Sequence, residues 1–343
     1  MARTPGGRVT VRAIAAEAGV SIATVSRVMN GNVPVAAETR EQVRRAVERL
    51  GARPPARTGS AEGAVYVHCP YVLTDYFGLI VSSVAETLDL HGRRLLLGAG
   101  RAARPSIPLS SLPEDPEVAG AILILPPEPS TQLEDLRTRG LPFAVIDPMT
   151  PLHPDIAAVS AAHAAGARSV TAHLTSLGHR RIGVINGPGE WLASHSRMVG
   201  HTSALAETGT LPAPELIRRI EPTAEHGYKA ACELLDLPPR QRPTALVAFN
   251  DKAATGALRA AYERGLRVPE DLSITGFDDL DLGRSTQPMI TTVRQPLEEM
   301  GRMAVSLLMR LVDRHTIDTL HVELATQLIV RGSTGPVSQH AAD

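Results

Sequence analysis

The sequence holds only two cysteines, Cys69 and Cys232, and no stretch of it approaches the roughly 18 consecutive apolar residues that a membrane-spanning helix needs. Neither thiol has a partner at metal-ligand spacing, so a disulfide framework is not indicated and both are expected as buried free cysteines. The opening MARTPGGR lacks the apolar core of a secretory signal, and a cytoplasmic chain is expected. Catalytic signatures are missing too. There is no G-x-S-x-G elbow, no H-E-x-x-H pair and no phosphate-binding G-x-x-x-x-G-K, and the 12 histidines are scattered, His173 and His179 reading as a helix face and a turn. Gly98, Gly100 and Ala103 do satisfy G-x-G-x-x-A, but Pro105 and Pro108 follow at once and leave no helix to hold a pyrophosphate. An enzyme is therefore not expected, nor a cofactor or a metal site.

What is present is a chain of 343 residues, 43% hydrophobic and 21% charged, which suits a soluble protein of two or three folding units. The net charge of −1 hides a strong asymmetry. Residues 1–60 hold ten Arg, no Lys and four Glu, a net +6; the remaining 25 basic and 32 acidic residues give −7. One end attracts a polyanion and the other repels it.

The basic end reads VTVRAIAAEAGVSIATVSRVMNG from Val9. Thr10 can cap a short helix with Val11, Ile14, Ala15 and Ala18 on one face, and Gly19 supplies the positive φ that ends it. Ser21 then caps a second helix that points Val25, Val28 and Met29 inward and Ile22, Ala23, Ser26 and Arg27 outward. Two short helices through a tight turn make a helix-turn-helix, whose second helix fits the major groove. A third, Glu38 to Leu50, is expected to bury Val43, Ala46, Val47 and Leu50.

The run AGVSIATVSRVMNG followed by ETREQVRRAVERLGARP resembles the DNA-binding headpiece of the lactose-repressor (LacI/GalR) family. That resemblance implies that Ile22 and Ala23 read base edges, that Arg27 contacts a base or phosphate, and that Ser21, Thr24, Ser26 and Asn30 hold the phosphate backbone, with Arg53 attracting phosphate from the hinge. Small apolar tips suit thymine methyls and a guanidinium suits guanine or phosphate; plain helix surface, or a salt bridge for Arg27, is the competing reading. Relatives usually place Ser before the third helix, where this chain has Ala36 and Ala37 and forgoes a cap worth about 1 kcal/mol.

Beyond Gly63, short apolar strands alternate with helical patterns. Strands are expected at Ala64 to Cys69, Arg94 to Leu97, Ala121 to Leu125, Phe143 to Ile146, Ile182 to Ile185, Ala245 to Phe249 and Leu272 to Thr275. Helices are expected at Tyr76 to His91, Ala164 to Leu177, Arg197 to Glu207, Ala224 to Leu235 and Lys252 to Arg264. This alternation builds doubly wound parallel sheets, two lobes of them at this length, with ligands held beyond the carboxyl ends of strands. LTSLGHRRIGVINGP, AFNDKAATGALRAAYERGLRVPEDLSITGFDDL and TTVRQPLEEMGRMAVSLLMRLV resemble the same family's core, which is related to periplasmic sugar-binding proteins.

The resemblance implies an all-α helix-turn-helix headpiece (1–50), a shortened hinge (51–63) and an α/β periplasmic-binding-protein-like core of two doubly wound parallel-sheet lobes (64–343). It also implies a nucleoid-associated transcriptional repressor, bound as a homodimer or higher oligomer to near-palindromic operator DNA and controlled by a small-molecule effector, a sugar or related metabolite. By position, Asp147, Arg197, Asn250 and Asp278 are its effector-binding residues, with Asp251 and Asp279 as supporting neighbours. A loop or helix cap is the alternative for Asn250 and Asp278, and a surface pair for Arg197. Departures bear on the ligand: Ala162, His163 and Ala164 replace an expected Asn and aromatic, and Pro222 replaces another aromatic, so stacking faces are expected to be missing apart from Tyr76, Phe77, Trp191 and Phe249. The hinge GARPPARTGSAEG contains no Leu, and Pro54, Pro55 and Gly59 disfavour a helix. An extended linker without a minor-groove wedge, and an operator bent less than in relatives, are expected. The larger region alone would suit a plain solute-binding protein; the basic headpiece and the lack of an export signal argue against that.

Overall fold

The computed structural model describes residues 11–21, 24–25, 28, 36–49, 63–100, 108–315 and 319–338. At the N-terminus α1 (Val11–Ala18) and α2 (Ala37–Arg49) flank the turn. Ile14, Ala15, Val25, Val43 and Ala46 form a small core, with Val28 packed against it, as the helical spacing requires. Ser21 caps the second helix, its Oγ accepting from the Thr24 N–H at 3.0 Å. Glu17 of α1 pairs with Arg49 of α2 at 3.3 Å. Thr10, Met29, Leu50 and the hinge through residue 62 lie outside the described residues.

Because α2 begins at Ala37, its capping position falls to Ala36, which offers no side-chain oxygen. Ala36→Ser is expected to stabilise the headpiece by about 1 kcal/mol. A thermal melt of the isolated region against wild type checks it; an unchanged midpoint rejects the capping assignment.

The first lobe is built on a six-stranded, all-parallel sheet in the order β2-β1-β3-β4-β5-β11. Its strands are β1 (Ala64–Cys69), β2 (Leu95–Ala99), β3 (Val118–Ile124), β4 (Phe143–Ile146), β5 (Ala157–Ala161) and β11 (His321–Leu324). Helices α3 (Asp75–Leu90) and α10 (Leu297–Val312) cover one face, where Ile80, Val84, Leu88, Met300 and Leu308 meet Val65 and Val67. On the other, α4 (Ser130–Thr138) and a 3-10 turn (Leu109–Glu114) bury Leu133, Leu136, Leu109 and Leu112. Strands covered on both faces are buried throughout; β1 has no exposed position. The edge strand β2 runs two residues beyond the expected end and leaves Leu96 and Leu97 exposed.

The second lobe has a four-stranded parallel sheet, β7-β6-β8-β9, from β6 (Ile182–Asn186), β7 (Ile217–Arg219), β8 (Ala245–Ala248) and β9 (Ser273–Thr275). Helices α5 (His163–Ser176) and α6 (Leu192–Ala206) cover one face, α7 (Ala224–Leu235) and α8 (Asp251–Glu263) the other, with short α9 (Asp281–Arg284) following β9. Each pair meets backbone to backbone. A Cβ on Gly200 would overlap the Ala164 carbonyl oxygen, and one on Gly256 the Ala224 carbonyl oxygen, so only glycine allows these approaches. His179, more than a turn residue, is buried and bonds Thr244, Ser273 and the Gly335 carbonyl, clasping the C-terminal segment to the sheet.

Among the described residues three crossovers join the lobes, at Ala162, at Gln295–Pro296 and at Ala325–Thr326. The last two flank an antiparallel ribbon of β10 (Thr292–Arg294) and β12 (Gln327–Ile329). No described helix is long and apolar enough to cross a membrane. Cys69 is fully buried as expected, but Cys232 is only half-buried.

Candidate functional site: the interlobe cavity

A cavity of about 420 Å³ opens between the lobes, within the usual size of a small-molecule site. Tyr71, Tyr76 and Phe77 wall it from the first lobe, Trp191 and Phe249 from the second. Tyr71 stacks on Phe77 at 4.7 Å, Tyr76 meets Phe77 edge-on at 5.1 Å, and Trp191 meets Phe249 at 6.0 Å. These include all four aromatics that the sequence left as candidates, Tyr76, Phe77, Trp191 and Phe249. Ala164 and Pro222 do line the cavity, but the aromatic walls come from other segments, Tyr76 and Phe77 from the first turn of α3, and Tyr71 joins the four residues expected.

Asp147, Asn250 and Asp278 also line the cavity. Asp147 leaves β4 with φ +48°, turning its carboxylate inward. Oδ2 accepts from the Tyr76 hydroxyl at 2.7 Å, and Oδ1 from His163 Nε2 at 3.0 Å and the Ala161 N–H at 3.3 Å. Burial pushes this carboxyl up, but His163, Tyr76 and Arg197 together hold it below its ordinary value. Asp278, at φ +110°, keeps one oxygen for Gln295 Nε2 at 2.6 Å. Burial raises it to about 6 against the pull of Arg197. Asn250 is a helix cap and a cavity residue at once: its Oδ1 accepts from the Ala253 N–H at 2.8 Å, while Nδ2 donates to the Pro222 carbonyl at 3.2 Å.

Arg197 sits differently from the expectation. It is 4% exposed and lies behind Phe249, its guanidinium 4.2 Å from that ring and 3.7 Å from Phe277. It donates to the Phe249 carbonyl and, at 3.3 Å, to His163 Nδ1. A guanidinium can only donate, so Nδ1 must accept and the His163 proton sits on Nε2, aimed at Asp147. His163, noted from sequence only as a departure, thus links Arg197 to Asp147. The helix it opens is expected one residue later, at Ala164, whereas β5 before it, AAVSA, is too poor in β-branched residues to read as a strand.

Neither supporting neighbour faces the cavity. Asp251 is fully buried, bonded to Thr292 Oγ1 at 2.6 Å and the Leu280 N–H at 2.8 Å, and burial, with Asp278 nearby, raises it to about 7. Asp279 is gripped by Arg284, Arg294 and Arg331. Among the described residues no three His, Cys, Asp or Glu side chains form a metal-holding group. On the headpiece, Ser21 and Thr24 share a 2.8 Å hydroxyl contact. Ile22, Ala23, Ser26, Arg27, Asn30 and Arg53 lie outside the described residues.

The comparison with known proteins follows the same division. The family described as bacterial regulatory proteins, lacI family, matches residues 10–54, and the periplasmic binding protein-like domain matches residues 171–334. The transcriptional regulator DegA of Bacillus subtilis (strain 168) is 32% identical over 340 residues, covering 96% of this chain and 99% of that protein. The chain belongs to the lacI family of bacterial regulatory proteins.

Other relatives agree. The transcriptional repressor CytR of Escherichia coli (strain K12) is 32% identical, with 95% of this chain and 96% of that protein covered. Among solved structures, a CelR–cellobiose complex superposes with a TM-score of 0.71 at 31% identity, covering 95% of this chain and 100% of that one. A lac repressor dimer bound to operator and an anti-inducer superposes with a TM-score of 0.68 at 25% identity, covering 96% and 100%. This lacI-family member is a helix-turn-helix transcriptional regulator with a periplasmic-binding-protein-like core.

Proposed function

We propose that the chain is an operator-binding repressor whose DNA affinity is set by a neutral saccharide or similar polyol held in the interlobe cavity. The observation that carries this reading is the pairing of aromatic walls from both lobes with a floor of Asp147, Asn250 and Asp278. Flat rings offer faces to the C–H surface of a sugar, and carboxylates accept from its hydroxyls. Asp147 already accepts from three donors, whereas Asp278 has one oxygen uncommitted among the described residues, so Asp278 is the principal acceptor. Arg197 acts through Phe249 and His163 rather than by direct grip. The relative solved with cellobiose supports the ligand class.

DNA contact is assigned to Ser21, Ile22, Ala23, Thr24, Ser26, Arg27 and Asn30, with Arg53 adding phosphate attraction. One short helix reads too few base pairs for useful specificity, so a homodimer on a near-palindromic site is proposed. The Leu-free hinge is proposed to leave the operator centre less bent than a wedged one.

A thermal-shift panel of neutral mono- and disaccharides, including cellobiose, beside sugar phosphates and nucleosides, tests the ligand class; stabilisation by the phosphates alone rejects it. The same assay carries a pH prediction. Asp278 is raised from 3.8 to about 6, so the stability its proton contributes is full below pH 3.8 and is lost as pH rises through 6. The ionised carboxylate at pH 7 welcomes a donated hydroxyl. Sugar affinity is therefore expected to fall as pH drops below about 6 and to become pH-independent there in Asp278→Asn.

A further inference from the structure

Asp278 and Asp279 are consecutive residues, both with positive φ, and their carboxylates diverge. The first faces the cavity. The second has a fully buried side chain and accepts from Arg294 at 2.7 Å, Arg284 at 3.0 Å and Arg331. Arg294 ends β10 and Arg331 follows β12, so Asp279 fastens both strands of the ribbon that leads to two of the crossovers. The backbone is fastened beside it, the Asp278 N–H donating to the Val293 carbonyl at 2.8 Å.

Gln295 is the next residue, in the crossover itself, immediately before Pro296 and α10. It is 4% exposed and spends its amide on Asp278 Oδ1 at 2.6 Å, while its own Oε1 is buried with no partner among the described residues. An unsatisfied buried carbonyl costs stability that a methionine or leucine of similar volume would not. An amide kept at that cost, on a joint between rigid bodies and bonded to the cavity's free acceptor, points to transmission rather than to packing.

We propose that Gln295 is a positioning residue that ties the state of Asp278 to the angle between the lobes. It holds the cavity carboxylate from the segment that carries α10, so a hydroxyl that engages Asp278 alters the pull on that crossover. The effect on DNA affinity rests on the reading above that the cavity takes a sugar; the mechanical joint does not. A ligand can shift the two arrangements only by interacting differently with each, and this bond supplies the difference.

The joint is tested in the full-length protein without ligand. Spin labels replace Val72 of the first lobe and Val199 of the second, both exposed, in a Cys232→Ala background. Labelled chain is diluted into unlabelled chain so that distances within one protomer dominate. Gln295→Met is expected to broaden or shift the interlobe distance distribution while the melting temperature stays near or above that of wild type. Asp278→Asn/Gln295→Glu, which restores the hydrogen bond with donor and acceptor exchanged, is expected to return the distribution to the wild-type width. An unchanged distribution in Gln295→Met, or broadening that the exchanged pair does not reverse, overturns the proposal. A second arm measures operator affinity with and without cellobiose. In Gln295→Met the factor by which cellobiose changes operator affinity should collapse toward one; a factor equal to wild type also overturns it. If wild type itself responds to no sugar of the panel, the ligand reading fails while the spin-label arm still decides the joint.

Discussion

Arg27→Ala is expected to weaken operator binding by about 2 to 6 kcal/mol, roughly 30-fold to more than 10,000-fold, at fixed salt. A good bidentate base contact discriminates by about 1 to 3 kcal/mol, and a homodimer makes it once in each half-site. Val25, two positions earlier, is completely buried in the headpiece core, and the helical reading of the sequence therefore expects residue 27 on the outer face. Binding curves on one palindromic duplex and on a scrambled duplex separate the possibilities. A base contact loses affinity on the palindrome far more than on the scramble. A phosphate contact loses it about equally on both and lowers the salt slope by about one per contact. Unchanged binding on both removes Arg27 from the interface.

Arg197→Ala is expected to abolish the sugar response and to cost about 2 to 4 kcal/mol of core stability. The guanidinium lies between the Phe249 and Phe277 rings, and a desolvated cation over an aromatic face contributes up to about 2 kcal/mol; truncation also leaves a cavity. His163 loses the donor that fixes its tautomer, so the Nε2 proton need no longer face Asp147. Arg197→Lys keeps a cation but lacks the planar fork, and should restore part of the stability without the response. Denaturant unfolding combined with sugar titration checks both statements. A stable Arg197→Ala protein that still responds to sugar would remove the residue from the site.

The strongly patterned elements were legible in the sequence because their burial is two-sided or strictly periodic. Ala64–Cys69, Phe143–Ile146 and Ala224–Leu235 coincide with the expected spans residue for residue. Several weaker elements carry too little pattern to be read from the sequence. β7 is three residues long and carries Arg218 and Arg219; β11 alternates exposed and half-buried positions, as an edge strand does. α6 starts at Leu192, five residues before the expected start, because Trp191 precedes it without a side-chain cap. In the cavity, the carboxylates could be placed by their position after strands, but Tyr71 and His163 could not. They enter it from a loop after β1 and a helix start after β5, and only the folded arrangement brings those segments together.

The glycine-mediated helix contacts of the second lobe have a consequence for genetics. Neither Gly200 nor Gly256 lines the cavity, yet any side chain at either position must push apart two backbones. In a selection that scores repression in cells, substitutions there should rank with those of the DNA-reading helix, and such a map would draw false functional patches on both faces of this lobe. Soluble protein yield, measured alongside, would sort the positions that fail because the chain never accumulates from those that fail because it no longer recognises its operator.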